Sequence, residues 1–354
     1  MSKRTDRARD RLARLLRAAR SRRRAVIALQ DGPDPDGMAS AAALKHLLTV
    51  KTQLQVVLAA GAPLGRAENR AMLQFLGEPI QPLDQLDLST FDFRALVDTQ
   101  PGFGNHSWPP DLPVDLVIDH HPRSQGIPRG TLADIRPKYG AASTILTEYL
   151  ITAGIEPDPQ LATVLLYGIR TDTQDLGRGA SPADTKAFLY LYPRANTRLL
   201  AKIQRERLPR SYFATLARAL TECRIYDTAV ICALGPIDSP DVLSEMADFF
   251  LRIEATRWCL CHGSVDGRLH LSLRTVLRQG AAGTVMAAVL DGLGEGGGHD
   301  MMAGGQTPLP EDPEAAEALL REIELRFLRR IDVPVRTPEP LIPQAPPSAG
   351  DAAS

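Results

Sequence analysis

The sequence predicts an α/β protein: an N-terminal, largely parallel sheet flanked by helices, then a smaller C-terminal α/β domain with a mixed sheet. Three observations carry this prediction. Apolar runs alternate with helical stretches from residue 25 to about residue 172, the pattern of strands buried beneath crossover helices. Several of those runs feed directly into aspartate or histidine, and open α/β sheets gather ligands beyond the carboxyl ends of their strands. Past residue 212 the style changes, with two strand-like runs separated by Asp266-Gly267, a hairpin turn signal.

Taken in order, residues 7–24 are arginine-rich with Leu12, Leu15 and Leu16 at helical spacing. Residues 1–24 are therefore expected to form a basic helix with a solvated outer face, or alternatively an arm that attracts RNA phosphates. Residues 25–29 are continuously apolar, a buried strand. They enter Gln30-Asp31-Gly32-Pro33-Asp34-Pro35-Asp36-Gly37, too rich in Pro, Gly and Asp to be anything but a loop. Residues 38–48 read as a helix, 54–58 as a strand and 67–76 as a helix. Residues 95–97 lead into Asp98, and 114–118 lead into Asp119-His120-His121-Pro122. Helices over 142–153 and 159–171 follow, the second ending at Asp172. This first domain spans 25–191, and the polar, basic, proline-containing stretch 192–211 reads as a linker. In the second domain, 212–332, strands at 258–262 and 269–273 flank the hairpin turn. A helix over 285–293 gives way to a glycine loop, Glu295-Gly296-Gly297-Gly298-His299-Asp300, and an amphipathic helix over 315–329 closes the domain. The Pro- and Ala-rich segment 333–354 is expected to be disordered.

Composition narrows the function. The net charge is −1, so the molecule has no overall basic excess for a long polyanion, and duplex DNA binding would need a localised patch. A small anionic substrate is favoured, and no duplex DNA or membrane partner is expected. The four cysteines include no CxxC pair; Cys259 and Cys261 alternate along a strand and read as buried core thiols. No run approaches the roughly 20 apolar residues of a membrane helix, and the arginine-rich start lacks the apolar centre of a secretory signal. The cytoplasm is the expected location, and the chain is compatible with a homodimer.

The candidate ligands are Asp34, Asp36, Asp98, Asp119, His120, His121 and Asp172. A lone aspartate at a strand end is an ordinary helix cap or turn former. Several at one end of a sheet repel one another unless a cation neutralises them. Oxygen and imidazole donors without cysteine suit Mn, Mg or similar divalent ions.

These residues also resemble a family. Pro33-Asp34-Pro35-Asp36, Asp98 after a strand, Asp119-His120-His121 and Gly168-Ile169-Arg170-Thr171-Asp172-Thr173 are similar, in order, to the four motifs of the DHH phosphoesterases. Gly296-Gly297-Gly298-His299, Ala303-Gly304-Gly305 and Ser272-Leu273-Arg274 resemble its associated C-terminal substrate domain. The resemblance covers residues 22–332 and looks most like the oligoribonuclease and pAp-phosphatase branch. It implies that Asp36, Asp98, His120 and Asp172 bind one ion and that Asp34 and Asp98 bind a second, Asp98 bridging. His121 would meet the substrate phosphate, with Asp119 orienting a histidine. Two Mn ions, or Mg, about 3.5–4 Å apart would activate a hydroxide between them. Arg274, Ser272, His299 and the amides of Gly296, Gly297 and Gly298 would hold the nucleotide; Arg123 and Arg170 stand beside motif residues. The implied activity is hydrolysis of short oligoribonucleotides, pApA-type dinucleotides or pAp.

One position departs from the family. Its first motif begins with a histidine four residues before the first aspartate, and here that position is Gln30. A neutral amide oxygen is a poorer donor than imidazole toward transition metals. The expectation is a weaker or harder second ion, with Asp31 or water filling the gap. The alternative is a nucleotide-binding regulator that has lost catalysis.

Overall fold

Six parallel strands form the first sheet, and its central members are short apolar runs with nowhere to go but inward. The computed structural model describes residues 3–61, 67–205, 207–277, 280–298 and 301–343. The chain divides into two compact units, Met1–Arg207 and Leu208–Ser354.

In the first unit the strands are β1 (Arg24–Ala28), β2 (Gln55–Ala60), β3 (Ile80–Pro82), β4 (Phe93–Val97), β5 (Leu116–Asp119) and β6 (Leu132–Ile135). Their order is β3-β2-β1-β4-β5-β6, all parallel. The chain builds outward one way from β1 and then the other way from β4, so the order reverses between these neighbours. Alternate residues of β1 serve opposite faces, as a two-residue period requires. Ala25 and Ile27 join one core with α1 (Lys3–Ala19), α2 (Pro35–Lys51), α3 (Ala67–Leu76), α4 (Ala142–Ala153), α5 (Pro159–Asp172), α6 (Pro182–Leu191) and α7 (Thr197–Gln204). Val26 and Ala28 join a second, smaller core with Phe91, Trp108 and Val117, closed by 3-10 turns at Leu83–Gln85 and Leu88–Thr90 rather than by α-helices.

The second unit holds a seven-stranded mixed sheet. Its elements are α8 (Arg210–Glu222), β7 (Cys223–Tyr226), β8 (Ala229–Pro236), α9 (Asp241–Phe250), β9 (Trp258–Val265), β10 (Arg268–Thr275), α10 (Ala282–Val289), β11 (Glu295–Gly298), β12 (Met302–Pro308), α11 (Pro313–Arg330) and β13 (Glu339–Pro340). The order is β11-β12-β10-β9-β8-β7-β13, parallel only between β8 and β9. The β9–β10 hairpin turns through Asp266 at φ 51 and Gly267 at φ 71, the paired left-handed conformation that Asp-Gly favours. The four cysteines are buried and free, Cys259 and Cys261 on one face with sulfurs 3.9 Å apart.

Two sequence expectations are corrected here. The stretch 192–211 is more than a linker: the boundary between the two units falls within it, but so does α7, whose Leu200 and Ile203 are buried in the first core. Their i, i+3 spacing gives a short helix an apolar side to bury, which outweighs the flanking prolines. Nor is the segment from 333 disordered throughout. Val333 is buried and β13 pairs with β7, because an open sheet edge offers hydrogen bonds to any extended chain beside it.

Candidate metal centre

β1, β4 and β5 are neighbours, so the loops leaving their carboxyl ends meet. Asp34 and Asp36 begin α2 directly after β1, Asp98 follows β4, and Asp119, His120 and His121 end β5. Asp172 is the last residue of α5. The position where strand order reverses is where an open sheet leaves a crevice.

His120 is the focus. Its Nε2 lies 3.1 Å from Asp172 Oδ2, 3.4 Å from Asp98 Oδ1 and 3.9 Å from Asp36 Oδ2. Three carboxylates thus converge on one nitrogen. Donor atoms of Asp36, His120 and Asp172 fall within 4.8 Å of one another, as do those of Asp98, Asp119, His120 and His121. The contacts to Nε2 are close without hydrogen-bond geometry, and Nε2 and Asp98 Oδ1 are both buried with no hydrogen-bond partner. Buried polar atoms left in this state are costly, and a cation would satisfy both at once.

The electrostatics agree. Burial, then repulsion from Asp34 and Asp36, pushes the Asp98 carboxyl well above its usual range. Burial and Asp172 push Asp36 up to about 7. Asp34 is raised by burial and by Asp172, partly offset by the Gly37 amide and the Gln30 side chain. Burial alone would lower His120, but Asp172 and Asp98 carry it well above an ordinary histidine. Carboxylates that must otherwise keep protons are what a divalent cation relieves. The donor set, five oxygen and nitrogen residues without sulfur, fits Mn or Mg.

Neighbouring elements hold each donor. Asp36 Oδ2 and Oδ1 accept the first amides of α4, from Ala142 at 2.6 Å and Ser143 at 2.8 Å. That helix has no side-chain cap of its own, so Asp36 supplies what its orphan amides need. Asp34 caps α2 by accepting from Gly37 N at 2.9 Å. The Nδ1 of His120 lies 3.3 Å from the Tyr139 carbonyl; donating there leaves Nε2 its lone pair. Asp119 Oδ1 meets His121 Nδ1 at 2.8 Å, while burial is outweighed by its histidine partners and its carboxyl is held below the usual range. Asp98 sits at φ 59, a left-handed conformation that costs a non-glycine residue energy and clusters at functional sites.

Sequence reasoning missed Gln100. Its buried amide donates to Asp119 Oδ2 at 2.6 Å and accepts from Ser124 N at 2.7 Å. Its only signal was its place two residues beyond Asp98. It also missed Tyr139 and the α4 amides, which act through backbone atoms that no side-chain pattern marks.

The role expected of Asp31 is corrected. Its carboxylate is occupied by Ser107 Oγ at 2.6 Å and by the amides of Ser107 and Gly61, so it does not replace Gln30 among the donors. The Gln30 side chain helps hold the Asp34 carboxyl down against burial. Arg170 pairs with Asp175, and Arg123 is exposed.

The substrate residues expected in the second unit fall on β10 and β11, with β12 between them. Arg274 on β10 donates from Nε to Asp248 Oδ1 at 2.9 Å and from Nη1 to Ser272 Oγ at 3.2 Å. The glycine run is not a loop: Gly296, Gly297 and Gly298 form edge strand β11. A Cβ on Gly283 of α10 would stand 2.3 Å from the Gly298 carbonyl oxygen, and one on Gly296 2.8 Å from Met286 Cγ, so bare backbone at Gly283 and Gly296 lets helix and strand close up. His299 lies outside the described residues.

The sequence of residues 227–327 matches the DHHA1 domain family. The matched residues lie within the second unit. The fold of the chain is shared with solved structures of low sequence identity. An exopolyphosphatase-related protein from Bacteroides fragilis superposes with a TM-score of 0.73 at 15% identity, covering 91% of this chain and 97% of that one. RecJ from Thermus thermophilus in complex with Mn2+ superposes with a TM-score of 0.52 at 18% identity, over 91% of this chain and 55% of RecJ. An uncharacterised protein of Methanocaldococcus jannaschii is 32% identical over 309 residues, 85% of this chain. This chain spans 63% of that archaeal relative's length. No helix among the described residues is long and apolar enough to cross a membrane.

Proposed function

We propose that the protein is a divalent-metal-dependent phosphoesterase that hydrolyses short oligoribonucleotides, pApA-type dinucleotides or pAp to mononucleotides. The observation that carries this reading is the convergence of Asp36, Asp98 and Asp172 on the unpartnered Nε2 of His120. Asp36, Asp98, His120 and Asp172 would hold one ion, and Asp34 with Asp98 another. Bound Mn or Mg would supply Lewis acidity and lower the pKa of water. The chain's own part is orientation. Tyr139 fixes the His120 tautomer, and Gln100 anchors Asp119, which in turn turns His121 toward a substrate phosphate. Ser272, Arg274, the glycines of β11 and His299 are read as nucleotide-holding residues on their likeness to the family, with Arg123 as a further phosphate contact.

Incubation with Mn or Mg and either pApA or pAp, followed by chromatography, tests the proposal. Mononucleotide from wild type and none from Asp98→Ala is expected. No turnover of either substrate under either ion overturns it.

A second reading, a nucleotide-binding regulator, is favoured by Gln30 alone, since an amide stands where the family carries a metal-binding imidazole. Tight nucleotide binding by calorimetry without turnover, with activity appearing in Gln30→His, would establish it.

A further inference from the structure

A second charged surface lies at the other pole of the first sheet. The strands are parallel, so the amino ends of β1 and β2 stand at the edge away from the metal centre, where Arg24 pairs with Gln55. A depression of about 570 Å³ opens there, lined by Arg20, Arg22, Arg23, Arg24, Gln53 and Gln55, with Thr52. The arginines are exposed. α1 continues the charge: Ala8, Leu12, Leu15 and Ala19 are buried, and among the described side chains the opposite side exposes Arg7, Arg9, Arg14 and Arg17 beside Asp10.

We propose that the outer face of α1 and the adjoining arginines at the amino edge of the sheet bind the phosphate backbone of single-stranded RNA. Nearby acids neutralise little of the charge. Asp92 is taken up by the backbone amides of Arg23 and Arg24, and Asp115 approaches Arg22 at 3.6 Å. The Arg24 guanidinium lies over the Phe91 ring at 4.7 Å. Among the described residues, the side chains of Arg7, Arg9, Arg14, Arg20 and Arg23 make no hydrogen bond or ion pair. With a net charge of −1 over the whole chain, this concentration is local rather than a general basicity.

The chemistry selects the ligand. A helix of 17 residues spans about 25 Å, longer than one phosphate or nucleotide needs, so the surface fits a chain of phosphates. An anionic membrane is disfavoured because the apolar side of α1 is already buried in the core and cannot insert. Gln53 and Gln55 add neutral donors and acceptors of the kind that meet sugar and phosphate oxygens. The choice of RNA over other polyanions rests on the proposed function. The charged surface itself does not.

Binding is measured by fluorescence anisotropy in EDTA, using labelled single-stranded RNA several times longer than a dinucleotide. Five neutralised phosphates would weaken binding about a hundredfold for a fourfold rise in salt. Arg20→Glu/Arg23→Glu is expected to weaken binding at least tenfold and flatten the salt dependence, with pApA hydrolysis unchanged. Arg20→Gln/Arg23→Gln should give a smaller loss in the same direction, which covers a failure of the charge-reversed chain to fold. Wild-type affinity and salt slope in the Gln variant overturn the surface, and equal affinity for DNA of the same sequence overturns the assignment to RNA. Because no metal is present, an inactive enzyme and an inert surface give different results.

Discussion

Asp36 and Gly168 approach so closely that a Cβ at position 168 would stand 3.0 Å from the Asp36 Cα and 3.1 Å from its Oδ1. The same atom would lie 2.5 Å from Ser143 Oγ. The glycine is what lets α5 carry Asp172 to the carboxylate that α2 presents.

Gly168→Ala therefore has to push α5 away from α2. Overpacking of this kind costs about 1–3 kcal/mol. We expect a lower melting temperature and at least tenfold weaker Mn binding by calorimetry. Unchanged Mn affinity would show that this contact does not set the site.

Asp98→Asn removes one of the buried, mutually repelling carboxylates. In EDTA this variant should melt above wild type, since the repulsion from Asp34 and Asp36 is relieved. Adding Mn should then give little or no further stabilisation, whereas wild type gains with ion concentration. A variant that melts lower in EDTA would contradict the repulsion argument.

The pH dependence of the metal-free protein follows from Asp36 and His120. Asp36 ordinarily titrates at 3.8 and is pushed up to about 7, so the folded chain holds a proton that the unfolded chain releases. Stability is thus fullest below about 4 and is lost as pH rises through 7, by at most about 4 kcal/mol. His120 acts in the same direction: its raised pKa stabilises the fold below its unfolded value, and that contribution fades as pH rises through the folded one. Melting in EDTA should fall from pH 5.5 to 7.5, and the gain on adding Mn should grow over the same range. A flat or rising EDTA profile would count against the buried cluster.

Gln100→Ala leaves Asp119 without its 2.6 Å donor. Losing such a partner behind a working residue typically costs 10- to 100-fold. The loss should appear in kcat more than in Mn affinity, because Asp119 contacts His121 rather than the carboxylates around His120. Equal losses in both would assign Gln100 to the metal instead.

Much of this was legible in the sequence, and the reason differs by element. Residues 142–153 and 67–76 match α4 and α3 residue for residue, since apolar periodicity alone specifies a buried helix. The donors Asp36, Asp98, His120 and Asp172 were legible because each follows a strand or ends a helix, and the parallel topology then brings those ends together. Gln100 and Tyr139 were not, since their roles come from three-dimensional neighbours rather than residue type. The glycine run was misread as a loop because glycine signals flexibility in one dimension. Here it signals how close α10 comes to a strand.

The donors around His120 come from three strand ends and the end of a helix, spread from residue 34 to residue 172. None of the cage exists until β1, β4 and β5 are side by side and α5 has returned over them. An ion bound as proposed would therefore latch a chain that has already found its topology rather than nucleate it. Its protection would act as quality control, sparing finished molecules from local opening while leaving incomplete ones exposed to proteolysis.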